Sequence, residues 1–388
     1  MQTQQAQLIA NLVSDCPCAL KYCCYNADTS CNTLRFKGLP VTRSRFSRIA
    51  RLICFLAALA AFGLPTQAAA AQSTTKSRIS LKKTTAKRSS ASASRARRAR
   101  VARVRASARA RELADAQTPR FKLDESGALV PDIRAEAAII YNPENGQVLW
   151  ESNSTDKRSI ASITKTMTAA VFLENDPDLN QEVVVQRNDV RAASTTYLRA
   201  GYKITTGDLL HLMLIASDNA AARALARVSP YGSEGFIDRM NDKAAELGLE
   251  TTAYADPSGL LADNVSSAYD MAKLITFVAG DERIAGIMRK QYHTVAVGRR
   301  TITVHSTNQL VMRGDVDVLG GKTGFITKAG YCLATLLRLP EGGPQVAVVV
   351  LGAKSNAGRF WETRHLFNWL SGKANEVFGT PAQQQQNQ

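Results

Sequence analysis

From residue 136 onward the apolar and polar positions fall into runs with clear periods. Ala137-Ala138-Ile139-Ile140-Tyr141 and Gln147-Val148-Leu149-Trp150 flank Asn142-Pro143-Glu144-Asn145-Gly146, which predicts a β-hairpin around a glycine-containing turn. Apolar residues at helical spacing then predict helices over Ser162–Leu173, Thr206–Ala216, Asn219–Val228, Phe236–Leu247 and Ser266–Ala279. Strand-like runs return at Thr301–His305, Tyr331–Leu337 and Gln345–Gly352, and an amphipathic helix, Arg359–Leu370, follows. The order is strands, a helical block, more strands and a terminal helix. It predicts an α+β domain over 135–372, with one antiparallel sheet assembled from both ends, flanking helices and an inserted helical subdomain. Residues 373–388 read as a polar tail.

The N-terminal region has no such pattern. Residues 73–111 are low-complexity Ser, Thr, Ala, Lys and Arg with 14 positive charges and no acid before Glu112, so a disordered basic arm is expected over 72–134. Charge sharpens the division. The chain carries a net +16, but residues 1–111 alone hold 21 Lys/Arg against 2 Asp/Glu, and the remainder holds 28 against 31. The basic character therefore belongs to the arm and its leader, while the rest is an ordinary domain with ample length for a core.

Four arginines between Arg43 and Arg51 precede a 13-residue apolar run, Leu52 to Leu64, and then Ala-x-Ala sites at Ala68/Ala70 and Ala69/Ala71. That sequence of regions predicts a secretory signal over 43–71, and the run is short for a membrane span. Export removes nucleic acid as a partner for the arm. It leaves an anionic envelope surface, with a solvated linker as the alternative. Residues 1–42 carry Cys16, Cys18, Cys23, Cys24 and Cys31 without a standard zinc spacing or a nearby histidine. A mis-assigned start, with translation beginning near Val41, is the expectation for that extension. The mature protein would then keep Cys332 alone and no internal disulfide.

Candidate chemistry lies in three short motifs: Ser162-Ile163-Thr164-Lys165, Ser217-Asp218-Asn219 and Lys322-Thr323-Gly324. Ser-x-x-Lys also occurs at Ser73, Ser80 and Ser154, so the pattern by itself has little weight. The copy at Ser162 opens an apolar helix and precedes the other two motifs. On a helix Ser162 and Lys165 share a face, so lysine can take the proton that makes serine a nucleophile, provided its pKa falls. Lys322 is a candidate for the like charge that lowers it. Ser217 can relay a proton to a leaving amine, and Asn219 can hold a substrate amide. Asp218 is expected to turn into local structure. Lys322 and Thr323 on a strand edge would meet a peptide laid along it, with Gly324 leaving room for the ligand. The backbone N–H groups of Ser162 and of the residue after Thr323 could form an oxyanion hole.

These residues, together with ASITKTMTA at 161–169, SDNAA at 217–221, DPSGL at 256–260, SSAYDMAKL at 266–274, STNQL at 306–310 and GGKTGFITKAGYCLA at 320–334, resemble the serine D-alanyl-D-alanine carboxypeptidases of peptidase family S11, the low-molecular-mass penicillin-binding proteins. The resemblance spans roughly Ala135 to Leu370. It implies a β-lactamase/transpeptidase-like fold and a two-step acyl-enzyme mechanism on wall peptides. It also implies sensitivity to β-lactam antibiotics and no cofactor. Ser162 would be the nucleophile, Lys165 its base and Lys322 the holder of the terminal carboxylate. Only a short tail follows the last helix, whereas family carboxypeptidases commonly continue into a β-rich domain and a membrane helix. That departure leans toward the endopeptidase branch, which cuts crosslinks with the same site.

Three other readings compete. A β-lactamase needs a deacylating glutamate in a Glu-x-x-Leu-Asn-like stretch, and none of Glu234, Glu246, Glu250 or Glu282 begins one. A non-catalytic wall-binding protein would have no need of an intact Ser162, Lys165, Ser217, Asn219 and Lys322. A metalloenzyme is disfavoured because His211, His293, His305 and His365 are scattered, and His211, on an apolar helix, reads as a packed residue.

Overall fold

A computed structural model describes residues 79–297 and 300–378 of the chain. The expected extension at 1–42, the signal at 43–71 and most of the polar tail lie outside these residues. The chain divides into two units, Met1–Ala86 and Lys87–Gln388, and of the first the described part is the start of one helix, 79–86.

That helix, α1, runs from Ile79 to Gln117, where a disordered arm was expected. Ala, Arg and Lys are good helix formers, and a helix satisfies its backbone internally without a core. From residue 94 to 111 its side chains are exposed on every side. The expected arm is corrected at its other end too. Strands β1 (Phe121–Leu123) and β2 (Leu129–Pro131) pair as a hairpin, and Val130, Ile133 and Ala135 pack against a buried cluster. The buried Glu362 carboxylate accepts the backbone N–H groups of Arg134 and Ala135 at 3.1 and 3.0 Å, which pins this entry segment. Long-range contacts of this kind leave no periodic trace in sequence.

Strands β3 (Ala137–Tyr141) and β4 (Val148–Ser152) form the predicted hairpin. The helical block follows as α2 (Thr164–Leu173), α3 (Thr206–Ile215), α4 (Asn219–Val228), α5 (Gly232–Glu246) and α6 (Ala268–Ala279). Small polar residues start three of these helices by accepting a backbone N–H: Thr205 from Asp208, Asp218 from Ala221 and Ser267 from Asp270. Then come β5 (Asp317–Ile326), β6 (Gly330–Arg338), β7 (Gln345–Ala353) and α7 (Asn356–Gly372). The sheet is antiparallel in the order β5-β6-β7-β3-β4, so the two ends of the domain meet where β7 pairs with β3.

Alternation within β7 shows how the sheet is covered on both faces. Ala347, Val349 and Leu351 join the large core with α2 and α6, while Val346, Val348 and Val350 join Phe360, Leu366 and Leu370 of α7. The tail expected from 373 begins with a short helix, Ala374–Phe378, whose Ala374, Val377 and Phe378 pack on that second core.

Candidate active site

Two elements meet at Ser162. A 3-10 turn, Ala161–Ile163, leads into α2, and the edge strand β5 runs alongside it. Lys165 stands in the first turn of α2, fully buried, with its Nζ 3.0 Å from Ser162 Oγ. The same Nζ donates to Asn219 Oδ1 at 2.6 Å and to the Ser258 carbonyl. Burial lowers the Lys165 pKa from its ordinary 10.5 to about 7, against the opposing pull of Asp256 and Asp218, with Arg223 adding to the lowering. The expected role of Lys322 in that shift is corrected: desolvation is the leading cause. An amine of this kind, substantially neutral at and above pH 7 and within hydrogen-bond reach, can accept a hydroxyl proton.

Opposite lies the second pair. Lys322 Nζ donates to Ser217 Oγ at 2.9 Å and to the Thr323 carbonyl at 3.0 Å. Lys322 is also buried, and desolvation, then Lys165 and Arg359, hold its pKa well below the ordinary lysine value. Ser217 adopts a left-handed backbone (φ 61°), uncommon for a residue with a side chain, between the end of α3 and the start of α4. Asp218 turns inward as expected, accepting from Tyr197 N, Ala221 N and Thr196 Oγ1.

Two sequence expectations shift. Asn219 has both ends of its amide engaged, since Nδ2 donates to the Ala193 carbonyl at 2.6 Å while Oδ1 takes Lys165. It thus contacts the lysine as well as lining the cavity of the site. At Gly324, a Cβ would come within 2.6 Å of the Ile160 carbonyl and 3.2 Å of Ser162 N. The glycine makes room for the turn that carries Ser162, so that two backbones approach, and the reason read from sequence is corrected accordingly. Thr323 Oγ1 pairs with Thr307 Oγ1 at 2.6 Å.

A cavity of about 400 Å³ joins these groups, lined by Ser162, Ser217, Asn219, Thr323 and Gly324 with Ser194, Thr195, Leu260, Phe325 and Arg359. All seven residues singled out from the motifs therefore either line this cavity or bond directly to a residue that does.

A family model described as D-alanyl-D-alanine carboxypeptidase, peptidase S11, matches residues 124–355. The chain belongs to the S11 peptidases. It is 34% identical over 227 residues to a D-alanyl-D-alanine endopeptidase of Haemophilus influenzae, covering 58% of this chain and 78% of that one. It is 32% identical to the D-alanyl-D-alanine endopeptidase of Escherichia coli, covering 65% and 81%. A D-alanyl-D-alanine carboxypeptidase of Bacillus subtilis is 30% identical, covering 57% and 58%. Among solved structures, the Streptomyces K15 DD-transpeptidase superposes with a TM-score of 0.58 at 28% identity, over 62% of this chain and 98% of that one. The fold is thus of the DD-transpeptidase type.

Within this S11 domain, residues outside the three motifs also build the site. Ser258 supplies a carbonyl to Lys165, and Pro257 supplies one to Thr168 Oγ1 at 2.6 Å. Gly259 has φ 74°, and a Cβ there would lie 2.0 Å from the Ala161 carbonyl oxygen. Arg359 of α7 reaches under β5 to donate to the Gly324 and Cys332 carbonyls at 2.8 and 3.1 Å, and it also lines the cavity. The DPSGL stretch was visible as a block, but its contacts with α2 were not.

The histidines are less dispersed than their spacing implied. His211 and His293 stack with ring centroids 3.9 Å apart, and His211 Nδ1 donates to the Gly207 carbonyl at 2.8 Å, leaving Nε2 to accept from Lys290. Among the described residues no group of three or more His, Cys, Asp or Glu side chains is arranged to hold a metal ion.

Proposed function

We propose that this S11 peptidase is a serine DD-peptidase that cleaves the D-alanyl-D-alanine bond of cell-wall peptides through an acyl-enzyme on Ser162. The observation that carries the reading is the Lys165 amine, buried, with its pKa lowered to about 7, and 3.0 Å from the Ser162 hydroxyl. Ser162 Oγ attacks the carbonyl carbon of the penultimate D-alanine and gives its proton to Lys165. The oxyanion is met by the N–H of Ser162 and by the backbone of β5 after Thr323, which approach each other because residue 324 has no side chain. As the C–N bond breaks, Ser217 passes to the departing amine the proton that Lys165 had taken, so that Lys165 is neutral again, while Lys322, beside Ser217, keeps its charge. The ester on Ser162 is then hydrolysed by water, with Lys165 accepting its proton. Lys322 holds the terminal carboxylate, and Thr323 and Gly324 border the peptide. Asn219 aligns the base. β-Lactams, which mimic the substrate, acylate the same serine.

Endopeptidase action on D-alanyl-meso-diaminopimelate crosslinks is the second reading. Relatives named for each activity match the chain, which covers 78% and 81% of the two endopeptidases and 58% of the Bacillus carboxypeptidase. Both reactions share the acylation chemistry and differ in the leaving amine.

The substrate places the enzyme outside the cytoplasm, in agreement with the signal-like segment at 43–71. The basic arm would bring it to an anionic envelope surface. No helix among the described residues is long and apolar enough to cross a membrane. Incubation with purified wall fragments, followed by mass analysis, tests the reading. Loss of one terminal D-alanine supports carboxypeptidase action, and conversion of crosslinked dimers to monomers supports endopeptidase action. Covalent labelling of Ser162→Ala by a fluorescent penicillin would overturn the nucleophile.

A further inference from the structure

One buried carboxylate near the site takes no part in the proton transfers above. Asp256 is 8% exposed, and its two oxygens accept four bonds within its own loop. Oδ2 takes the Ser258 N–H at 3.1 Å and the Ser258 hydroxyl; Oδ1 takes the Leu261 N–H at 3.2 Å and the Asn264 amide. The loop so closed touches both halves of the catalytic pair. The Ser258 carbonyl accepts from Lys165, and the Asn264 carbonyl accepts the Ile160 N–H at 3.1 Å, one residue before the turn that carries Ser162. Gly259 lies against Ala161 at a distance no side chain would allow.

We propose that Asp256 is a positioning residue for the acylation step: its carboxylate folds the 256–264 loop into a cradle that fixes Ser162 against Lys165, and its charge acts on the lysine through that loop. The inference rests on the serine-peptidase reading. Lys165 is faced by the carboxylates of Asp256 and Asp218 and by Arg223, with Lys322 across the cavity, so removing one carboxylate changes its balance in a definite direction. A nearby negative charge favours the protonated amine. Without Asp256, Lys165 becomes neutral at lower pH, although the cradle is weakened.

The test is the pH profile of acylation by a fluorescent penicillin, normalised to folded protein, in the full chain. Asp256→Asn is expected to move the acid limb down by about one pH unit and to lower the plateau about tenfold or more. Asn264→Ala, which withdraws one donor and keeps the carboxylate, is expected to lower the plateau with the limb unmoved. Asp256→Glu keeps the charge but shifts its oxygens, so its limb should match the parent while its plateau falls. A purely structural role would lower plateaus without moving any limb. An Asp256→Asn limb coincident with the parent overturns the electrostatic half, and an Asp256→Glu plateau equal to the parent overturns the positional half. The Glu variant serves even if Asp256→Asn does not fold. Absence of labelling in the parent chain would instead sink the peptidase reading.

Discussion

In the proposed mechanism Lys165 is the residue on which the chemistry turns, and its burial has a measurable signature. The gap between an ordinary 10.5 and about 7 corresponds to roughly 5 kcal/mol against charging the amine inside the fold. For catalysis the neutral form is the base. Acylation should therefore rise through an acid limb near pH 7, falling about tenfold for each pH unit below it. For stability the sign follows from proton counting. The folded-state pKa lies below the unfolded one, so between about 7 and 10.5 the unfolded chain binds more protons at this residue. Its contribution to stability rises with pH across that window, and the penalty is complete below the folded pKa. Lys165→Met lacks this contribution. In urea denaturation from pH 7.5 to 9, the stability of the parent minus that of Lys165→Met should rise by roughly 1.4 kcal/mol per pH unit. Subtracting the variant cancels groups that titrate alike in both proteins. A flat difference, or an acid limb near pH 10, would refute the placement of a buried neutral lysine beside Ser162.

Other outcomes follow from the same geometry. Gly201→Ala meets no atom within 4 Å at φ 89° and should cost about 1–2 kcal/mol with acylation retained. Gly259→Ala has a similar φ but collides with the Ala161 carbonyl, so it should destabilise more and abolish penicillin labelling; equal behaviour of the two in thermal melts and labelling would count against the cradle. Lys322 is held below its ordinary pKa by burial, so a bound carboxylate should restore its proton. Calorimetry in buffers of different ionisation enthalpy should show proton uptake with a D-Ala-terminated peptide and none with its amide-capped form. Lys322→Ala should weaken binding of the free-acid peptide by about 1.5–3 kcal/mol and the amide much less, as read by competition with labelled penicillin.

Much of this fold was legible because its elements are locally coded. The helix Asn219–Val228 was read at its exact bounds, since Asp218 caps it and alanines fill its buried face. Strands β6 and β7 showed as apolar runs, because both faces of each are covered. The strand carrying Lys322 was harder to delimit, as Gly320, Gly321 and Gly324 obscure its period. Those glycines stand where Met288, Ala279, Thr335 and the Ile160 carbonyl press on the strand, a reason that lies entirely in other segments. The basic arm misled in the opposite way. Its composition forbids a core, but a helix of Ala, Arg and Lys needs none.

By itself the sequence determined the family and the residues proposed to do the chemistry, because the proposed nucleophile, base and carboxylate-binding lysine are residue identities that keep their chemistry in any correctly ordered copy of the motifs. Tertiary structure decided what those groups can do. Burial lowered the Lys165 pKa to about 7, the fold set Asn219 in hydrogen-bond contact with Lys165, and it brought Asp256, Ser258 and Arg359 to the site from distant segments. A pKa and a hydrogen-bond partner depend on desolvation and distance, and both are set only when the chain has closed on itself.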